Sequence, residues 1–452
     1  MYNRNAVHYR GVMKMDTNGQ NQQDKREIRR KRRQRNQIIA YMVVGILILL
    51  MAAGIALAVS KITGMSRNHE QQQNKVDEML SEEETIPVPT EQTETAPELT
   101  DEQKLDTIID EAIIQNMPLE DKVAGLFITT PESITGVSTA IQAGDGTKDA
   151  LSKYPVGGIV YAAKNIQSAD QLKQMIDNTK LYTSYPLFIA VDGEGSGTDA
   201  VAEAGLGTKV DSPETIAATG DTSNAYTAGT TVGSYLAELG FNLDFAPSAD
   251  LNVLDGNAAG SSSYGSEADT VASFVSYMQA GLQEQKVTAC VGHFPGIGST
   301  TQSTKDGMAS TDRSAEDFRS NEFAAFQTCI DNGVTKMISV SNMAASSLTG
   351  DNTPCSLSSA VVTDILRNEL NFHGVIVSGA MNQAAITNYY GADEAAVMAL
   401  RAGCDMIYAP ENFETAYNGV LEAVQSGTIS EERINDSLRR IYRIKYADKL
   451  EQ

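Results

Sequence analysis

The chain has 452 residues, 41% of them hydrophobic, with 36 glycines, 12 prolines and a net charge of −23. That length accommodates one large domain or two to three ordinary ones, and the composition excludes collagen-like and mucin-like classes. The charge is unevenly divided: residues 1–36 hold eleven Lys/Arg against three Asp/Glu, which leaves the remainder near −31. So acidic a body repels nucleic-acid phosphates and argues against a nucleic-acid partner.

Residues 1–37 form a basic segment that culminates in Lys25–Arg35, KREIRRKRRQR, with eight basic side chains. Ile38–Val59 then carries no charge at all. At about 1.5 Å per helical residue it reaches about 33 Å, enough to cross a bilayer, so residues 38–60 are predicted to form a transmembrane helix. A cleaved signal peptide would have an apolar core of about 7–15 residues close to the N-terminus. This run is longer and follows a long basic stretch, so an uncleaved anchor is expected, although Ala56 and Ala58 keep cleavage as a minority reading. Basic residues flanking a span stay in the cytoplasm. The expected protein is therefore single-pass in the cell membrane, N-terminus inside, with everything after Val59 outside. Residues 61–100 are polar, acidic and proline-punctuated, with little to bury, and are predicted to be a disordered stalk.

From residue 101 to 452 the texture changes. Strand-like apolar runs occur at 125–129, 158–161, 187–191, 243–246, 287–291, 336–340, 375–378 and 406–409. Helix-like segments lie between them, including 169–182, 223–239, 268–284, 315–331, 360–370 and 393–402. Eight evenly spaced βα units fit a doubly wound sheet but favour a closed (β/α)8 barrel of the TIM type, an α/β fold. A last helix, 430–447, is expected to pack outside. The four cysteines, Cys290, Cys329, Cys355 and Cys404, lack CxxC or metal-type spacing and read as small buried hydrophobes. No metal site or other cofactor is expected.

Several blocks, in order, resemble glycoside hydrolase family 3, and in particular its single-barrel bacterial β-N-acetylhexosaminidases. They are LEDKVAGLF from Leu119, PVGGIVYAAKNI from Pro155, PLFIAVDGEG from Pro186, LAELGFNLDFAPSADL from Leu236, GHFPGIGST from Gly292 and SGTISEERINDSLRRIYRIK from Ser426. The resemblance implies an active site at the C-terminal mouth of the barrel. Family chemistry uses a carboxylate nucleophile and a histidine acid/base oriented by an aspartate in a mobile loop.

At the positions where the resemblance puts these groups, this chain departs from the pattern. The nucleophile follows the strand at 375–378, and the residue there is Gly379. The acid/base loop is Gly298–Gly307, GSTTQSTKDG, with Ser303 and Lys305 where the resemblance implies the aspartate and the histidine. Ser262 and Gly292 stand where the family places a sugar-contacting arginine and lysine, and Ile297 replaces a second histidine. Asp192, Glu194, His293 and Asp306 remain as candidate ligand-binding residues. The expectation is a family member without the hydrolytic step. It would act at the cell envelope by binding an N-acetylhexosamine-containing glycan of peptidoglycan type, or an envelope protein. The alternative is an active glycosidase using relocated carboxylates among Asp192, Glu194, Asp250 and Asp306. Asp250 and Asp306 are expected to cap a helix or face solvent.

Overall fold

In the computed structural model, residues 100–193 and 199–447 are described. The predicted span Ile38–Val59, the stalk up to residue 99 and Glu194 lie outside the described residues. None of the described helices is long and apolar enough to cross a membrane. Thr100 is the N-cap of helix Asp101–Ala112: its hydroxyl accepts from the Gln103 amide at 3.3 Å, while Gln103 Oε1 accepts from the Thr100 amide at 3.0 Å. That reciprocal capping box satisfies two backbone donors that the first turn of helix Asp101–Ala112 would leave open.

Each of the eight predicted apolar runs holds a barrel strand or part of one. In chain order the strands are β1 (Phe127–Thr129), β2 (Gly158–Val160), β3 (Phe188–Val191), β4 (Leu243–Asp244), β5 (Thr288–Phe294), β6 (Ser310–Thr311), β7 (Met337–Val340), β8 (Ala344–Ala345), β9 (Val375–Val377) and β10 (Ile407–Tyr408). Eight of them make one parallel sheet in the order β10-β1-β2-β3-β4-β5-β7-β9. A parallel bridge between Val377 and Met406 joins the two outer strands and completes the ring. The strands are buried on both sides, which is why they read as continuous apolar runs rather than as alternation. The remaining pair, β6 and β8, forms a small parallel sheet of its own. Segments 223–239 and 268–284 are helical as predicted, and the segment 315–331 divides into Ala315–Ser320 and Glu322–Asp331. Ala360–Glu369 winds more widely, closing with a Leu370 N–H to Ile365 carbonyl bond of 2.9 Å. All four cysteines are buried free thiols, as their spacing suggested.

The predicted last helix, observed as Glu431–Lys445, is fixed to helix Asp101–Ala112 by charge. Arg439 donates to Asp110 at 2.8 Å, and Arg443 pairs with Asp106 through both its Nε and Nη2. Its inner side reaches Asp405, a fully buried carboxylate just before β10. Asp405 accepts from Arg367 at 2.8 Å, Arg440 at 2.9 Å, the Ser437 hydroxyl at 2.7 Å and the Ile376 amide of β9 at 2.9 Å, with Arg433 Nη1 3.7 Å away. One carboxylate therefore serves three guanidinium groups across the seam of the ring. Removing one partner of such a buried cluster leaves charge without compensation. Asp405→Asn is expected to lower unfolding stability by about 3–5 kcal/mol, read as a shift of the denaturant midpoint. A change below about 0.5 kcal/mol, typical of surface positions, would refute this role.

Candidate functional site

β3, β5, β7, β9 and β10 all point their C-terminal ends the same way, so Asp192, His293, Asn342, Gly379 and Tyr408 converge on one mouth. Asp192 follows β3 directly. Asp192 is exposed as a residue, yet protein packed around its carboxyl raises its pKa; the nearby charges of His293 and Lys305 act in the opposite direction. Asp192, His293 and Lys305 are expected from the sequence to share one site, and both His293 and Lys305 are within electrostatic reach of Asp192. Gly379 lies at the same end. Asp306 is exposed on the loop beyond Lys305, where its amide closes a turn on the Ser303 carbonyl at 3.1 Å.

His293 is half-exposed, and its ring is fixed from behind. Nδ1 lies 2.8 Å from Asp250 Oδ2, and Asp250 is fully buried. Asp250 also accepts from the Ser248 hydroxyl and the Ile297 amide, each at 2.8 Å. Burial pushes its carboxyl pKa up, but His293 and these hydrogen bonds prevail and hold it below the usual carboxylate range. This corrects the expectation that Asp250 faces solvent or caps a helix. It is a positioning residue that ties the loop after β4 to the loop after β5. The same two loops share backbone bonds from Ala249 N–H to Gly292 O at 2.6 Å and from Leu254 N–H to Gly298 O at 3.2 Å. The glycines of GHFPGIG serve this contact. A Cβ on Gly298 would fall 1.6 Å from the Leu251 carbonyl oxygen, and Gly296, at φ +121°, has the buried Glu322 side chain against it. Glu322 in turn pairs with Arg313 at 2.7 Å.

Asp244 holds the other side of the mouth. Its carboxylate accepts from the Gly193 amide at 3.2 Å, directly after Asp192. Asp199, where the described chain resumes, is buried, caps Ala200–Glu203 and receives the Tyr235 hydroxyl. Phe245 and Tyr408 stack with centroids 4.3 Å apart, giving the mouth an aromatic wall beside Asp192.

The corner at Gly379 is filled by a neighbour. A Cβ built on Gly379 would lie 2.4 Å from Asn342 Oδ1, 2.6 Å from its Cγ and 2.8 Å from its Nδ2. Asn342 is 1% exposed and has little room to turn away. Its Nδ2 donates to the Ala380 carbonyl at 2.8 Å and to Gln383 Oε1 at 3.0 Å, and its Oδ1 accepts from the Ser356 hydroxyl at 2.6 Å. The loop carrying Lys305 is fastened nearby, where the Ala385 amide donates to the Thr304 carbonyl at 3.0 Å. Asn342, Phe245 and Tyr408 belong to no motif that marks them as site residues in the sequence. Their positions at or just beyond strand C-termini were the available signal.

A profile of the glycosyl hydrolase family 3 N-terminal domain matches residues 119–444. The chain is 29% identical over 263 residues to a β-hexosaminidase of Nitrosomonas eutropha, covering 57% of this chain and 74% of that protein. It is 25% identical over 326 residues to β-hexosaminidase A of Pseudoalteromonas piscicida, covering 66% of this chain but only 54%, about half, of that relative's length. Among solved structures, a family 3 β-N-acetylglucosaminidase from a Paenibacillus species superposes with a TM-score of 0.67 at 30% identity, covering 74% of this chain and 64% of the other. A β-N-acetylhexosaminidase from Beutenbergia cavernae gives 0.65 at 25% identity, covering 73% of this chain and 99% of its own.

The filled corner generates a stability prediction. Gly379→Ala should cost about 1–3 kcal/mol by overpacking, and Asn342→Ala about 1–3 kcal/mol by leaving buried polar groups unpaired. The double variant should cost clearly less than the sum, because each change relieves the other. Strict additivity in a denaturant-unfolding cycle would show that Asn342 does not hold that space.

Proposed function

Because the chain belongs to glycoside hydrolase family 3 yet ends β9 on Gly379 with Asn342 packed into the space of the missing side chain, we propose that it is a non-hydrolytic member that binds glycan. Its ligand is an N-acetylhexosamine-containing glycan of peptidoglycan type, and it works outside the cell, anchored by Ile38–Val59. The filled corner is the observation that carries this reading. A covalent glycosyl-enzyme needs a carboxylate at the anomeric carbon, and a general acid must protonate the leaving oxygen. Glycine supplies the first position, and Lys305, a cation without a carboxyl or imidazole, occupies the second.

What remains suits recognition. Asp192 is an acceptor for sugar hydroxyls, and the stacked Phe245 and Tyr408 rings offer an apolar face for a pyranose. His293, with its orientation set by Asp250, adds a polar group held in place before a ligand arrives, which lowers the ordering cost of binding. The relatives named for β-hexosaminidase and β-N-acetylglucosaminidase activity support the choice of sugar.

A second reading keeps hydrolysis with a moved carboxylate, and Asp192 is the residue that favours it, since its raised pKa suits an acid. Two measurements separate the readings. Purified 101–452 should give no turnover of an aryl N-acetylglucosaminide above buffer, and Gly379→Asp should not restore it, since Asn342 blocks the corner and no oriented acid is present. The same fragment should bind an N-acetylglucosamine oligomer, with Asp192→Asn weakening affinity about tenfold. Wild-type turnover that Asp192→Asn abolishes would establish the second reading instead. The topology is tested separately: protease added to intact cells should release the barrel by cutting within residues 66–100. Protection of the barrel until lysis would overturn the extracytoplasmic placement.

A further inference from the structure

One cavity bordered by the described residues lies well away from the mouth. About 840 Å³ of space lies at the opposite end of the barrel, where β3, β5, β7 and β9 begin and the last helix finishes. That end of a (β/α)8 barrel ordinarily serves stability. Here it is concave, and its volume lies within the range of ligand sites, about 300–1,000 Å³.

Its charge is opposite to that of the chain. The titratable groups bordering it are Lys286, Lys336, Arg440, Arg443, Lys445 and His373, against one carboxylate, Glu284, which receives the Tyr226 hydroxyl. Arg443 is matched by Asp106, but Arg440 shares Asp405 with Arg367 and Arg433, so positive charge is in excess. Lys445 is the sharpest case. Its ammonium donates to the Gly157 carbonyl at 2.9 Å and sits 4.9 and 5.1 Å from the ring centroids of Phe188 and Tyr442. Among the described residues no carboxylate comes within salt-bridge distance of it. Burial alone pulls its pKa down to about 7. An ammonium surrounded by protein without a counter-charge is costly, and an incoming anion would offset that cost. Leu187, Phe188 and Ile444 supply apolar surface beside it.

We propose that this cavity binds a small organic anion, a carboxylate or phosphate carried on an apolar body, with Lys445 as the partner of the charged group. The site is separate from the mouth and stands whether or not the barrel hydrolyses glycans. Its surplus of cations over carboxylates selects for charge, and its apolar side selects for the body that carries it.

The test is calorimetric titration of the full chain with butyl phosphate and with butyrate, and with butanol as the uncharged control. One or both anions should bind, more weakly as salt is added, and butanol should give no heat. Lys445→Met should weaken binding by at least about tenfold, whereas Lys173→Met, on the outer helix Ala169–Leu181, should change nothing. Lys336→Met, on the exposed rim, keeps the test informative should Lys445→Met perturb folding: it should weaken binding about threefold with thermal unfolding unaltered. Binding of one anion and not the other identifies the charged group and upholds the site. Absence of heat with both anions at millimolar concentration overturns the proposal. So does equal affinity in the wild type and both cavity variants.

Discussion

The ring of strands is held shut by a buried charge. Asp405 lies where β9 meets β10, accepts from the Ile376 amide in the adjacent strand, and gathers Arg367, Arg433 and Arg440 from two helices onto one carboxylate. The seam it secures continues upward into the mouth. Ser378 Oγ accepts from the Tyr408 amide at 3.0 Å, and the Met381 amide donates to the Tyr408 carbonyl at 2.9 Å. Gly379 and Tyr408 are thus set against each other by the same register that closes the barrel. A slip between these two strands would displace both, and with them one corner of the site.

The architecture was largely legible because its signals are local. Parallel strands buried on both faces leave short apolar runs, such as 187–191 and 336–340, that hydropathy alone detects. The helix Asp101–Ala112 carried its own capping residue in Thr100, with Gln103 three positions on. The site was legible only where resemblance supplied a position, as at Asp192, His293, Lys305 and Gly379. Asp250 was misjudged because nothing local distinguishes a loop carboxylate in solvent from one facing a histidine 43 residues away. Asn342 was passed over for a related reason. Its significance lies in the space around Gly379, which is a property of two strand ends meeting and not of either segment.

The two ends of the barrel differ in chemistry as well as in role. The mouth presents Asp192, a histidine and stacked aromatics, with Asp244 and Asp250 buried behind them. The far end concentrates lysine and arginine around a recess. The mouth and the recess therefore present different fields, and fields of that kind sort small ions before any contact is made. The thiols take no part: burial pushes those of Cys329, Cys355 and Cys404 up to about 12, and Cys290 higher still, so all four resist forming the thiolate that oxidation requires.

The packing of Asn342 against Gly379 also couples the histories of the two positions. An aspartate introduced at 379 meets the amide head of a side chain held by Ala380, Gln383 and Ser356, so that substitution alone is disfavoured at once. Shrinking residue 342 first opens the corner, at the expense of three hydrogen bonds and with nothing gained until the second change arrives. Either route passes through a less stable chain. In a protein only about 5–15 kcal/mol from unfolding, that intermediate acts as a ratchet: the glycine is easy to keep and costly to leave, and a change at either position favours a change at the other.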